Sequence, residues 1–196
     1  MINDSILIAF EGLDGVGKTK FSTLVKTKFS KEYENILLLP IDSHNQITKK
    51  EEEDPYLSFS YYLNSLSKRL IKNKNKFIIF DRYIDSAYGY KLLRTNQTYF
   101  TDKALLELNY LYDKLRKPNI TFLLTTSNKR REKNIFSKKK VDSYDIDSLK
   151  YENILFWNNY YSHIFNETFF TINTNRNEYD VLKDIINIIK DYIKTH

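Results

Sequence analysis

The chain has 196 residues, a formal net charge of +6 and no cysteine. This length is enough for one domain, residues 1–196, with a hydrophobic core that needs no metal or disulfide. The lack of cysteine excludes a disulfide framework, thiolate catalysis and a sulfur-based zinc site. The basic residues are spread over predicted helices and one short segment, so a small polyanionic ligand explains them as well as nucleic acid does. We therefore expect no nucleic-acid partner.

The first predicted element is a strand, because residues 6–10, ILIAF, form an apolar run suited to a parallel sheet buried on both faces. The run is too short for a signal peptide or a membrane span, so we expect a cytoplasmic protein without a membrane partner. Residues 12–19, GLDGVGKT, match the phosphate-binding loop G-x-x-x-x-G-K-[ST]. A predicted helix follows, so backbone N–H groups and a helix N-terminus converge on an anion. The loop therefore predicts binding of a nucleoside triphosphate.

Three of the chain's four glycines lie in this loop, where the backbone needs positive φ or a close approach by a ligand. Lys18 is expected to contact the β- and γ-phosphates, and the Thr19 hydroxyl to enter the Mg²⁺ shell. The alternative is a glycine-rich turn with a chance Lys-Thr pair, and the flanking strand and helix count against it. The residues predicted to bind ATP are Gly12, Leu13, Asp14, Gly15, Val16, Gly17, Lys18 and Thr19.

The next strands are predicted at residues 36–39 and 77–80, with a helix at 56–72 between them. Asp81 and Arg82 follow the second of these strands directly. A carboxylate in this position is where kinases and ATPases hold Mg²⁺, and an adjoining arginine can fork onto a phosphate. On its own, the pair could equally be a salt bridge at the end of a strand. Beside a phosphate-binding loop, we expect the pair to act in metal binding and catalysis.

Two motifs make the sequence resemble the thymidylate kinase family. Residues 10–19, FEGLDGVGKT, are similar to the family's FEGxDGxGKS/T opening. Residues 81–90, DRYIDSAYGY, together with Arg94, are similar to its DRY-x-x-S-x-x-A-Y region. The interval between the motifs is about the usual one for the family. The resemblance implies a three-layer P-loop kinase fold, ATP and Mg²⁺ as cofactors, a nucleotide acceptor and a homodimer.

The resemblance also implies roles in the acceptor half of the site. Asp14 would touch the acceptor sugar and take part in catalysis, Ser86 and Tyr90 would lie near the base and sugar, and Phe59 would stack on a pyrimidine. With 16 tyrosines in the chain, core packing is an alternative explanation for the tyrosines of this region. The residues expected to bind the acceptor are Phe59, Arg82, Ser86, Tyr90 and Arg94.

A basic segment follows the strand predicted at residues 120–124. Positions 127–140 hold seven basic residues and one acidic residue. Such a run is often the solvated face of a helix, but its place after a strand matches the lid of nucleoside monophosphate kinases, which closes over ATP. We expect a short basic lid at about residues 127–147, with Arg130 and Arg131 as its catalytic cations.

Helices at residues 101–115, 148–165 and 179–193 and a strand at 169–172 complete the predicted pattern. Strands that alternate with helices and cross over right-handed form a parallel sheet with helices on both faces. We therefore expect an α/β fold with a five-stranded parallel sheet flanked by helices.

Three departures from the family pattern leave the acceptor open. Residues 39–43, after the second strand, contain no arginine to hold an acceptor phosphate. Residues 59–63 lack the arginine that reads the base, the nearest being Arg69, and Ser143 stands where the family has an arginine after the lid. Each lost bidentate contact would typically cost about 1.5–3 kcal/mol. The expected reaction is phosphoryl transfer from ATP to a nucleoside monophosphate, with dTMP as the expected acceptor.

Other functions are compatible with parts of this pattern. A deoxynucleoside kinase has the same fold and needs no arginine for an acceptor monophosphate. A non-catalytic nucleotide-binding relative is the next alternative, although Lys18, Asp81 and Arg82 are all retained. A GTPase is disfavoured because no N-K-x-D guanine motif occurs, and a nucleic-acid-binding ATPase would predict a salt-sensitive affinity that we do not expect.

Overall fold

The structure is a computed structural model that describes residues 5–40, 54–72, 77–94, 110, 113–164 and 167–196. Strands and helices alternate along these ranges. The strands are β1 (Ile6–Glu11), β2 (Ile36–Pro40), β3 (Phe77–Asp81), β4 (Ile120–Thr125) and β5 (Phe169–Asn173). The helices are α1 (Lys18–Phe29), α2 (Pro55–Lys72), α3 (Ile84–Arg94), α4 (Asn128–Phe136), α5 (Ser143–Asp147), α6 (Tyr151–Ile164) and α7 (Glu178–Thr195).

The five strands form one parallel sheet in the order β2-β3-β1-β4-β5. Phe10 of β1 pairs with Asp81 of β3, and Glu11 pairs with Leu123 of β4. The carboxyl ends of β1, β3 and β4 therefore meet at one edge, where parallel α/β sheets bind their ligands. This register brings the predicted phosphate-binding loop beside Asp81.

Alternate residues of the central strands face opposite sides of the sheet, as the period of two requires. Ile8 and Phe10 pack with α1 and α7 residues such as Val25 and Ile185 in one core cluster. Leu7 and Ala9 pack on the other face with residues of α2 and α3, and α6 contributes a third cluster around Trp157. The predicted arrangement of a parallel sheet between two helical layers is confirmed.

The predicted strands and helices agree with the structure to within a few residues wherever it describes them. The largest shift is at α6, which begins at Tyr151 where the sequence predicted 148, because the short helix α5 and a turn precede it. The helix predicted at residues 101–115 lies mainly outside the described residues. In the part of the chain that is described, no helix is long and apolar enough to cross a bilayer.

Two short helices, α4 and α5, occupy the predicted lid. Ser127 caps α4 by accepting a hydrogen bond from the Arg130 N–H. Asp142 and Asp145 form a reciprocal capping box at the start of α5, and Asp145 also pairs with Lys138. The two acidic residues after the basic segment therefore stabilise the local fold.

Candidate active site

The phosphate-binding loop, residues 12–19, joins β1 to α1 at the carboxyl edge of the sheet. Gly12 has φ +127° and Gly15 has φ +81°, a region that disfavours residues with a Cβ. A Cβ on Gly12 would lie 2.4 Å from the Leu124 carbonyl oxygen, and one on Gly15 would lie 2.7 Å from the Arg131 carbonyl oxygen. Neighbouring backbone therefore packs so tightly on the loop that glycine is required at both positions.

Side chains from outside the loop hold three consecutive loop carbonyl groups. The pairs are Arg131 Nε to Asp14 O (2.9 Å), Asn134 Nδ2 to Gly15 O (2.7 Å) and Thr174 Oγ1 to Val16 O (2.9 Å). In a trans peptide the N–H points away from the C=O of the same unit. The N–H groups of residues 15–17 therefore point away from these three donors, toward the side on which such a loop would bind an anion.

Lys18, the first residue of α1, is buried beside the loop at 6% exposure. Its Nζ donates to the Leu13 carbonyl (2.7 Å) and lies 3.8 Å from the Asp14 carboxylate. Burial, with Arg82 nearby, lowers the pKa of Lys18 to about 7 against the opposing effect of Asp14. Phosphate charge beside this ammonium would favour its protonated form. Lys18 lines a cavity of about 460 Å³ at the mouth of the loop.

The Thr19 hydroxyl donates to the Asp81 carboxylate across 2.5 Å, in the same cavity. Both are hard oxygen groups, the type that Mg²⁺ prefers, and Mg²⁺ sites in kinases use one or two protein ligands completed by phosphate and water. The described residues contain no cluster of three or more His, Cys, Asp or Glu side chains that could hold a metal by themselves. The pair therefore fits a metal that arrives with a phosphate ligand.

The buried Arg82 and the partly buried Asp14 form an ion pair at the same edge. Arg82 NH1 also donates to the Gly12 carbonyl and to Ser86 Oγ, both at 3.2 Å, and its guanidinium lies 5.3 Å from the centre of the Tyr90 ring. Tyr90 donates to the second Asp14 oxygen (2.9 Å). Burial alone would raise the pKa of Asp14, but Arg82 and Lys18 hold that pKa well below its ordinary value. Asp14 is thus a fixed, ionised group facing the predicted acceptor region.

The two predicted lid cations lie in different environments. Arg130 lines the cavity at the mouth of the loop. Arg131 is 1% exposed, and besides its bond to the Asp14 carbonyl it donates to the Ser148 carbonyl (2.7 Å). The Arg131 guanidinium therefore binds protein carbonyl groups beside the loop, which argues against its predicted role as a lid cation. The catalytic role of Arg130 stays a prediction.

The predicted acceptor residues are only partly brought together. Ser86 and Tyr90 lie beside Arg82, whereas Phe59 is 1% exposed and packs its ring 5.5 Å from that of Tyr88. This favours core packing over stacking on a pyrimidine for Phe59, an alternative that the sequence analysis raised only for the tyrosines. Arg94 is the last residue of α3, and its side chain lies outside the described part of the chain.

Two site residues were missed by sequence reasoning. Glu11 is fully buried and accepts from the Tyr83 N–H (2.9 Å) and from the Ser86 hydroxyl. Tyr161 of α6 accepts from the Gly12 N–H (3.1 Å). Glu11 stands inside the FEG motif and so carried a signal, but Tyr161 is one of 16 tyrosines with no motif around it.

Comparison with known proteins identifies a matching family and related sequences. A family model described as thymidylate kinase matches residues 10–185. The thymidylate kinase of Onion yellows phytoplasma (strain OY-M) is 30% identical over 74% of this chain and 77% of its own. That of Mycoplasmopsis pulmonis (strain UAB CTIP) is 25% identical and covers 98% of this chain and 92% of its own.

Two solved structures share the fold. A deoxyadenosine kinase from M. mycoides is similar with a TM-score of 0.67 at 17% identity, over 94% of this chain and 98% of its own. The thymidylate kinase from Candida albicans is similar with a TM-score of 0.65 at 22% identity, over 95% of this chain and 92% of its own. The predicted P-loop kinase fold is confirmed, and the match of the family model over most of the sequence shows that this chain belongs to the thymidylate kinase family.

Proposed function

We propose that the protein transfers the γ-phosphoryl group of ATP to dTMP. The observation that supports this most directly is the cavity in which the loop, Lys18 and the Thr19–Asp81 pair meet. Family membership supports dTMP as the acceptor, because the curated relatives that match are thymidylate kinases. The reaction needs positioning and charge neutralisation more than covalent chemistry, and the groups in this cavity are of that kind.

In the donor half, the N–H groups of the loop and Lys18 would hold the phosphates of ATP. Thr19 and Asp81 would hold Mg²⁺, which when bound neutralises charge on the β- and γ-phosphates. Arg130, which lines the same cavity, would reach the transferring group from the lid. The loop N–H groups, Lys18, Arg130 and the bound metal would place positive charge where negative charge develops, which is how electrostatic catalysis lowers a barrier.

In the acceptor half, Asp14 is held ionised by Arg82 and oriented by Tyr90. A fixed carboxylate of this kind can accept a hydrogen bond from a sugar hydroxyl of the acceptor. Arg82 donates to the loop and to Asp14 at once, so it can link the acceptor to the phosphate-binding loop. We assign binding of the acceptor sugar to Asp14 and Tyr90, and orientation of the transferring group to Arg82.

A deoxynucleoside acceptor is the second candidate, and one observation favours it. Residues 39–43, at and after the end of β2, contain no arginine that could hold an acceptor monophosphate, and an unphosphorylated deoxynucleoside would need none. The cytoplasmic homodimer expected from the sequence stays a prediction, and light scattering of the purified protein would test the assembly.

A phosphorylation screen tests the acceptor. The purified protein would be incubated with ATP and Mg²⁺ and, in separate reactions, dTMP, thymidine and the other nucleoside monophosphates and deoxynucleosides, with products separated by ion-exchange chromatography. We expect dTDP from dTMP, and no product from the Lys18→Ala variant, which should keep the wild-type circular dichroism spectrum. Product from unphosphorylated nucleosides alone would reject dTMP as the acceptor, and full turnover by Lys18→Ala would reject the loop as the site of chemistry.

A further inference from the structure

Glu11 is the last residue of β1, directly before the phosphate-binding loop, and it is fully buried. One carboxylate oxygen accepts from the backbone N–H groups of Tyr83 (2.9 Å) and Ser86 (3.4 Å). The other accepts from the hydroxyl groups of Ser86 and Tyr161, the latter at 3.4 Å. A side chain from β1 therefore caps the N-terminus of α3, a place for negative charge that the helix dipole favours.

The two hydroxyl groups extend this contact in opposite directions. The Ser86 hydroxyl donates to Glu11 and accepts from Arg82 NH1 (3.2 Å). It therefore links Glu11 to the arginine that pairs with Asp14. The Tyr161 hydroxyl donates to Glu11 and accepts from the N–H of Gly12 (3.1 Å), the first residue of the loop. One carboxylate is thus bonded through single hydroxyl groups to both halves of the site.

Several charged or titratable groups act on Glu11. Burial raises the pKa of Glu11 to about 7 and Asp85 adds to the rise, whereas Ser86, the Tyr83 N–H and Arg82 oppose it. Tyr161 from α6 donates to it, and Lys18 from α1 is close enough to interact electrostatically. In the neutral form one oxygen of Glu11 becomes a donor, which conflicts with the donors that face it.

We propose that the Glu11 carboxylate is a positioning residue that couples the acceptor half of the site, through Ser86 and Arg82, to the phosphate-binding loop, through Tyr161 and Gly12. This inference rests on the proposed phosphoryl transfer, but it concerns the link between the two halves and holds for any acceptor. Because Glu11 is fully buried, it would contact neither substrate. Its effect reaches the reaction only through the side chains that it orients.

The Glu11→Gln variant separates charge from shape. Glutamine has the size of glutamate, but its amide nitrogen donates where the carboxylate accepts. That nitrogen cannot accept the hydroxyl protons of Ser86 and Tyr161. Both hydroxyl groups therefore lose the acceptor that orients them, while the core stays filled. The matched control is Glu32→Gln, because Glu32 is a surface residue that pairs only with Lys190 (3.1 Å) among the contacts described.

Steady-state kinetics and calorimetry of the variants test the proposal. We expect Glu11→Gln to lower kcat about tenfold or more, the scale of one charge-assisted hydrogen bond. Ser86→Ala should raise the KM of the acceptor, and Tyr161→Phe should weaken ATP binding measured by calorimetry without acceptor. Wild-type kcat should fall as the pH falls through about 7, and Glu11→Gln should lack this decline. Glu32→Gln should match the wild type throughout.

Unchanged kcat, KM values and pH profile in a folded Glu11→Gln protein would overturn the proposal. If that variant does not fold, the two hydroxyl contacts are tested by the variants Ser86→Ala and Tyr161→Phe, each alone and both combined. Effects that multiply would then show two independent contacts and reject the coupling, whereas a combined effect that differs from the product supports it.

If dTMP is not the acceptor, the same constants are measured with the acceptor found in the screen, and ATP binding to Tyr161→Phe needs no acceptor. Failure of the proposed function is therefore distinguishable from failure of this inference.

Discussion

Thr19 and Asp81 lie 62 positions apart in the chain, yet the Thr19 hydroxyl donates to the Asp81 carboxylate across 2.5 Å. The parallel pairing of β1 with β3 creates this contact, because it places the end of β3 beside the loop that opens α1. A hydroxyl and a carboxylate fixed at one point leave their remaining lone pairs for a cation that carries phosphate ligands.

Replacing Asp81 with asparagine tests this arrangement. The amide keeps the shape but loses the charge, so we expect kcat to fall about a hundredfold or more and the Mg²⁺ concentration for half-maximal rate to rise. The measurement is a Mg²⁺ titration of the initial rate at saturating ATP. Asp184→Asn is the matched control, since Asp184 is half-exposed and pairs with Arg176 on the surface (2.7 Å). If the initial rate of Asp81→Asn depended on Mg²⁺ as that of the wild type does, the assignment of the metal to this pair would be wrong.

The two lid arginines should behave differently when changed to alanine. Loss of Arg131 leaves the buried Ser148 carbonyl and the partly buried Asp14 carbonyl without this donor, so we expect the free energy of unfolding to fall by about 3 kcal/mol. Loss of Arg130 should leave stability within about 0.5 kcal/mol, because this side chain lines an open cavity, and should lower kcat more than it raises the KM of ATP. Urea denaturation and initial rates on both proteins measure these effects. Equal stability of the two variants would contradict the positions assigned here.

Sequence reasoning recovered the fold because the information is local. Apolar runs such as residues 6–10 and 77–80 specify buried strands by themselves, and the glycine loop specifies the strand-to-helix turn. Arg131 could not be separated from Arg130 in the same way. Both stand in one basic run, and only the packing of α4 against the loop decides which of them is buried.

The acceptor half of the site shows the same limit. Phe59 and Tyr161 are aromatic residues on helices, and whether such a ring packs in the core or faces a ligand depends on neighbouring elements. The structure buries Phe59 beside Tyr88 and brings Tyr161 to the Gly12 N–H, 149 positions away in the chain. Contacts of that separation follow from topology and leave no local pattern.

Alanine substitutions at two loop glycines separate steric conflict from backbone conformation. Gly12 and Gly17 both have positive φ, +127° and +101°. A Cβ on Gly12 would meet the Leu124 carbonyl oxygen at 2.4 Å, whereas the contact that the described residues offer to one on Gly17 is the Phe21 ring at 3.3 Å. Each variant should lose about 1–3 kcal/mol of stability from the strained φ, and Gly12→Ala should lose more and bind ATP more weakly. Thermal unfolding and calorimetric ATP titrations measure the difference. If Gly17→Ala lost more stability and ATP affinity than Gly12→Ala, the Leu124 contact would be unimportant.

Glu11 should make stability depend on pH. Its pKa is raised from 4.5 to about 7 in the folded protein, so the folded state binds this proton more tightly than the unfolded state does. The contribution to stability is therefore fully present below pH 4.5 and is lost as the pH rises to 7, by at most on the order of 3 kcal/mol. Other groups also titrate in this range, so the relevant quantity is the free energy of unfolding of wild type minus that of Glu11→Gln, measured by urea denaturation between pH 5 and pH 8. We expect this difference to fall with rising pH and to level off above about pH 7. A difference that stays constant across the range would show that Glu11 is ionised at its ordinary pKa, and that the hydrogen bonds to its carboxylate offset the cost of burial.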